Sequence, residues 1–384
     1  MARPPGPWSE SRSWLALVAL GGLGLSAALA SGCGGDEKPP ARTAAALHAD
    51  PEGAASSRPV SNASLGDSAL EPAAKAAMAA EDWPRAESLF AELSRRQPRN
   101  PAGKRGLGRA LMKQDKNDRA LEAFQGSLEL AEDVDTRLDL AAAFGGLGRY
   151  PSALPHLRKA VKIAPANPVA WTKLADALLK VEKPDGAAET LAESKDACAK
   201  CPADEGWRSA ADEVAGALAD KAEKQLAAKD AAGARKTADA AAALGPDLPA
   251  TRLVKARISK ADGDAKAAEG DYRKAVEGLP DAKSDPGAAA RLELAGLLMA
   301  DGKGEDAAKL AREVVASRSD HGPALDLLGR SCDLAKDVDC ARKAYDQLAR
   351  LGPGTNGVSK EAVDHAKLRA KALKSTRGKP KSRR

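Results

Sequence analysis

Aromatic side chains are scarce, with 5 Trp, 3 Tyr and 3 Phe in 384 residues. Sheets cover their faces largely with aromatic and β-branched residues, so this scarcity argues against a sandwich or barrel. Abundant alanine and 30% charged residues instead predict an all-α protein. Histidine is rarer still. His48, His156, His321 and His365 are scattered, with no metal-ligand spacing. Cys198-x2-Cys201 lacks the two further ligands that tetrahedral zinc needs, and it lacks the βαβ context of a redox motif. Asp262-Gly263-Asp264 is not followed by the rest of a calcium loop. With no catalytic constellation in the chain, neither an enzyme nor a cofactor is expected.

Excess positive charge is missing from most of the chain, although the formal net charge is +6. Residues 367–384 hold nine basic side chains and no acidic one. Without that segment and the N-terminal 33 residues the body is slightly acidic, so the basic balance belongs to a tail and a nucleic-acid partner is not expected.

Long apolar runs are equally limited. The one sustained stretch, Trp14 to Ala30, follows Arg3 and Arg12 and has the length of a signal-peptide core, short for a stable membrane span. Ala30-Ser31-Gly32-Cys33 follows directly, and it resembles the bacterial lipobox with Ala where that motif more often has Leu. The resemblance implies a signal peptide over 1–32, a lipidated Cys33 and an exported, membrane-anchored protein. Gly34 is not an inner-membrane retention residue by the enterobacterial rule, which leans towards the outer membrane and a periplasm-facing body. Two other outcomes stay open: cleavage after Ala30, releasing a chain that begins at Ser31, or an uncleaved anchor. Residues 33–66, rich in Gly, Pro, Ser and Ala without sustained periodicity, read as a flexible tether.

Beyond the tether an internal period organises the chain. Leu107-Gly108-x2-Leu111 with Ala120-x3-Phe124 recurs as Leu328-Gly329-x2-Cys332 with Ala341-x3-Tyr345, and again as Trp171-x2-Leu174-Ala175-x2-Leu178 with Ala187. One small residue keeps the register: Ala86, Ala120, Ala153, Ala187, Ala234, Ala268, Ala307 and Ala341, at intervals of 34, 33, 34, 47, 34, 39 and 34. This pattern resembles the tetratricopeptide repeat, a helix-turn-helix unit, over roughly residues 67–355.

The resemblance implies a right-handed superhelical solenoid of about eight repeats, with repeats 1–4 over 67–200 and repeats 5–8 over 215–355. Small residues sit where the two helices of a unit cross, and an aromatic four residues on fills the gap to the next unit. Gly106-x-Gly108 falls at such packing positions and is no nucleotide loop. Pro98, Pro165, Pro246, Pro280 and Pro353 are expected to end second helices. The segment 201–214 reads as an insertion with a stray Trp207, and as the break between two halves. Repeat five, with Ala231 and Ala238 at positions usually large, reads as a thin unit or hinge. Ser359 is placed to cap a final helix over 356–374 that closes the stack, and 375–384 reads as a disordered basic tail.

By the same resemblance, one face of the first helices forms a concave groove for an extended peptide or a partner helix. Arg105, Arg109, Lys113, Arg257, Lys260 and Arg330 occupy its positions, which suggests a basic ridge facing an acidic segment of a partner. The alternative is a solvated basic stripe without a ligand. Cys332 and Cys340 flank one repeat's turn and face each other across a hairpin, either bridged or as two buried thiols; Cys198 and Cys201 allow a loop-tying bridge or free thiols. The expected function is a membrane-tethered scaffold or adaptor for other envelope proteins, in outer-membrane, secretion or pilus and motility assemblies. The competing expectation is a lipoprotein that binds cell wall or an anionic polymer through tail and groove.

Overall fold

The computed structural model describes residues 65–354 and 356–376. The apolar N-terminal run, Cys33, most of the expected tether and residues 377–384 lie outside the described residues. Within them are seventeen α-helices and no strand, the all-helical repeat solenoid that composition and the repeat resemblance lead one to expect.

Sixteen helices form eight consecutive hairpins. The first four pair α1 (Asp67–Ala79) with α2 (Trp83–Arg96), α3 (Pro101–Met112) with α4 (Asn117–Leu128), α5 (Val134–Gly146) with α6 (Tyr150–Ile163), and α7 (Pro168–Lys180) with α8 (Pro184–Ala197). The next two pair α9 (Glu205–Ala227) with α10 (Ala231–Leu244) and α11 (Pro249–Ala261) with α12 (Ala265–Gly278). The last two pair α13 (Asp285–Ala300) with α14 (Gly304–Ser317) and α15 (Gly322–Leu334) with α16 (Val338–Leu351). A seventeenth helix, α17 (Lys360–Thr376), packs on α16 and, more lightly, on α15.

All eight hairpins turn in the same way. One residue in each turn adopts a left-handed backbone: Glu81, Asp115, Gly148, Glu182, Lys229, Gly263, Gly302 and Lys336, with φ between 57° and 83°. The next residue is the N-cap of the second helix. In four repeats that cap is Asp82, Asp230, Asp264 or Asp337, whose carboxylate accepts a backbone N–H of the first turn. Five second helices end two residues before Pro98, Pro165, Pro246, Pro280 or Pro353, because proline clashes with the preceding turn and offers no N–H.

The eight register alanines are at most 1% exposed. They and neighbouring glycines let helices approach until an aromatic ring fills the space between them. A Cβ at Gly108 would lie 2.6 Å from the Phe124 ring, and one at Gly329 would lie 2.5 Å from the Tyr345 ring. No hairpin could enclose these rings alone, so stability comes from stacking. The longer link between α12 and α13 is held from inside. Arg291, 5% exposed, donates to the carbonyl oxygens of Leu279 and Pro280 at 2.7 and 3.0 Å, and to Glu313 at 2.9 Å.

The segment 201–214, expected as an insertion and a break, is helical from Glu205 on and does not interrupt the core. A short 3-10 turn, Cys201–Ala203, leads into α9, whose 23 residues make it the longest helix described. Asp204 caps that helix, and Trp207, Ala211 and Val214 carry the main apolar core through the expected break without interruption. Trp207 is 4% exposed, and its indole N–H donates to Ser194 Oγ at 2.7 Å. The added turns are helical because their apolar residues fall at helical spacing against α7 and α8. Where the core does thin is repeat five itself. The buried side chains of α10 are Ala234, Thr237, Ala238 and Ala241, so its helices pack closely on small residues.

Candidate functional site: the charged face of the first helices

Side chains projecting from one first helix to the next meet at intervals of one repeat. Arg105 on α3 donates to Asp133, the N-cap of α5, at 2.8 Å, while Asp133 also accepts the backbone N–H of Thr136 at 2.8 Å. One turn on, Arg109 donates to Asp139 on α5 at 2.5 Å. The Lys113 ammonium lies 5.6 Å from the centroid of the Trp83 ring, within cation–π range.

A larger arrangement spans repeats five to seven. Arg257 on α11 donates through Nε and Nη2 to both oxygens of Glu293 on α13, at 2.9 and 2.6 Å, and through Nη1 to Glu223 on α9. The Tyr272 hydroxyl, from α12, donates to Glu293 at 2.9 Å. At the C-terminal end, Asp333 on α15 accepts from Tyr345 at 3.2 Å and from Arg369 on α17 at 2.9 Å.

The titrations follow burial and pairing. Burial pushes the Glu223 carboxyl above its usual range, and the facing Asp220 and Glu293 add to this while Arg257 opposes it. Burial likewise raises Asp139 despite Arg109. Burial also acts to raise Glu293, but the hydrogen bonds and charge of Arg257 and the Tyr272 hydroxyl outweigh it and hold this carboxyl below its usual range. Tyr272 is raised by burial and by Glu293.

All six basic residues marked in the sequence thus belong to first helices or their C-caps, but they do not form an unpaired ridge. Arg105, Arg109 and Arg257 are engaged by carboxylates of neighbouring repeats, and Arg330 lies 3.5 Å from Asp326 on its own helix. Lys260 is exposed and forms no ion pair among the described residues, although its charge acts on Glu293. The four partner carboxylates, Asp133, Asp139, Glu223 and Glu293, are not among the residues that the repeat pattern singles out. A signal was present, because Glu223 precedes Arg257 by 34 residues and Glu293 follows it by 36, about one repeat on either side.

The cysteines lie apart from this face. Cys198 and Cys201 are disulfide-bonded at the end of α8, with Cα atoms 5.3 Å apart and 1% and 0% exposure. Cys332 on α15 and Cys340 on α16 are bonded across their hairpin, with Cα atoms 5.8 Å apart. Among the described residues no cluster of His, Cys, Asp and Glu is arranged to hold a metal, and no helix is long and apolar enough to cross a membrane. A cleft of about 500 Å³ opens between α8, α9 and α10, with Ala188, Ala240 and Leu244 in its lining. The buried amide oxygen of Gln225 has no hydrogen-bond partner there among the described residues.

The tetratricopeptide-repeat family pattern matches residues 72–134 and 292–355, and a second pattern of the same repeat matches 146–203. The chain is a tetratricopeptide-repeat protein. Such repeats generally mediate protein–protein contacts by binding peptides or proteins in the groove of the first helices, and the family is typically non-enzymatic. Similar solved structures include a tetratricopeptide repeat protein from Parabacteroides merdae, 14% identical, covering 79% of this chain and 98% of its own length, with a TM-score of 0.33. The TPR2AB domain of yeast Sti1, solved in complex with pHSP90, is 16% identical, with 71% and 98% coverage and a TM-score of 0.36. MamA (41-end) from Desulfovibrio magneticus RS-1 is also 16% identical, with 55% and 94% coverage and a TM-score of 0.33. No curated protein sequence matches the chain.

Proposed function

We propose that this tetratricopeptide-repeat protein is an adaptor of the bacterial cell envelope, tethered by lipid on Cys33 and facing the periplasm, preferentially from the outer membrane. Its groove would hold an extended segment of a client protein in an outer-membrane, secretion or pilus and motility assembly. The observation that carries this reading is the row of charged side chains along the first helices from repeat two to repeat eight. Because most of its arginines already pair with carboxylates, the client is a segment of alternating charge that exchanges partners with these pairs, rather than a purely acidic one. Lys113, Lys260 and Arg330 are the cations most open to such exchange.

The N-terminal sequence supports the tether. Apolar Trp14 to Ala30 leads directly into Ser31-Gly32-Cys33, and acyl chains on that thiol would hold the protein at a bilayer without a spanning helix. Two measurements test the proposal. Photo-crosslinkers placed at Lys113 and Lys260 in cells should trap a defined client, whereas one at exposed Lys274 on α12 should not; equal trapping from both faces would overturn the groove assignment. Intact mass of the native protein should show a diacylglycerol-sized addition on a chain beginning at Cys33, absent from Cys33→Ala. A chain beginning at Ser31 would remove the tether.

A further inference from the structure

The last helix carries a feature that closing the stack does not require. Val363, Ala366, Ala370 and Leu373 bury one face of α17, while Arg369 and Lys374 reach back to Asp333 and Asp346. The opposite face presents Lys367, Leu368 and Lys371 to solvent. Leu368 is 71% exposed, against 38–46% for the other exposed large apolar side chains described. Lys367 and Lys371, one helical turn apart, lie together on one side of it, and neither forms an ion pair among the described residues. The sequence then continues through Arg377, Lys379, Lys381, Arg383 and Arg384 without an acidic residue.

We propose that the outer face of α17 docks on an anionic lipid bilayer. Leu368 enters the boundary between headgroups and acyl chains, and the two lysines lay their apolar stems beside it and place their ammonium groups at lipid phosphates. Glu361 and Asp364 on the N-terminal half of the helix keep that half off the surface, so contact is made by the C-terminal turns. Each basic residue near such a surface strengthens attachment by about fivefold. A soluble polyanion could use the same charges, but it offers no apolar phase to Leu368, which is why the bilayer is the better occupant. This docking surface is separate from both the lipid on Cys33 and the client groove, and it stands or falls without them.

Hydrogen exchange of the full chain, read peptide by peptide, tests it whatever else holds the protein to a vesicle. Vesicles of phosphatidylglycerol and phosphatidylcholine should slow exchange across residues 360–374 by about tenfold relative to pure phosphatidylcholine, with exchange in α3 unchanged. Leu368→Ser and the pair Lys367→Glu with Lys371→Glu should each abolish most of that difference. All three substitutions are of exposed side chains, and circular dichroism checks that the variants fold. Overturning results are no slowing, equal slowing on both vesicles, or slowing that soluble polyglutamate reproduces and Leu368→Ser retains; the last would assign the surface to a polyanion.

Discussion

Arg257 and Glu293 form a two-point ion pair, at 2.9 and 2.6 Å, that ties the first helix of one repeat to that of the next. Both side chains are less than a third exposed, and the Tyr272 hydroxyl donates to the same carboxylate. Removing Glu293 leaves the Tyr272 hydroxyl without its acceptor and the Arg257 guanidinium with Glu223 alone. Glu293→Ala should therefore cost about 1–3 kcal/mol of unfolding free energy. Arg330→Ala, which breaks an exposed contact within one helix, should cost less than about 0.5 kcal/mol. Urea denaturation of the two variants checks the contrast, and equal losses would show that the pair between repeats adds nothing.

The other arm of that arrangement responds to acid with the opposite sign. Because burial raises Glu223 in the folded protein, its ionised form is less favourable there than in the unfolded chain. The resulting penalty is present above its folded pKa and vanishes as pH falls below the ordinary glutamate range. Glu223→Gln, which removes the titration, should thus gain stability relative to the native protein between pH 4 and pH 7. Thermal melts across that interval read the sign, and a relative loss would mean that Arg257 outweighs burial at this carboxyl.

Packing between the two helices of the last hairpin is tested at Gly329. Alanine favours a helix by about 1 kcal/mol over glycine, so Gly329→Ala would stabilise an exposed site. Here the new methyl would lie 2.5 Å from the Tyr345 ring, and displacing that buried ring should cost about 1–3 kcal/mol. The expected outcome is a net loss in denaturation midpoint; a gain would show that Tyr345 moves freely.

At the start of α9, Trp207→Ala should remove about 3–5 kcal/mol, because Trp207 is 4% exposed within the main core and also serves Ser194. If 201–214 were a detachable insertion, the substitution would be nearly neutral. Chemical denaturation followed by circular dichroism separates the two.

Much of the architecture was legible because a repeat constrains local chemistry again and again. Eight alanines, five of whose seven intervals are 33 or 34 residues, mark eight helix crossings, and five prolines lie just beyond helix ends, since each of these demands is met within a few residues of chain. The length of α9 was not legible. Lys195 to Val214 mixes Cys, Pro, Gly and charged residues in a way that reads as a connection, and only packing against α7 and α8 shows that its second half is helical.

The basic face is the sharper case. The sequence by itself determined where Arg105, Arg109 and Arg257 would sit, because register places a residue on a helix and a face. It could not determine their state. Whether a guanidinium is free depends on which side chain crosses from the next repeat, and Asp139 and Glu293 reach across from 30 and 36 residues away. Their approach is set by how closely neighbouring hairpins stack. Tertiary structure therefore turned an apparent row of free cations into a row of internal pairs. Burial acts to raise both Glu223 and Glu293, but only at Glu293 do the bonds from Arg257 and Tyr272 outweigh it, so the two carboxyls shift in opposite directions although both face the same arginine.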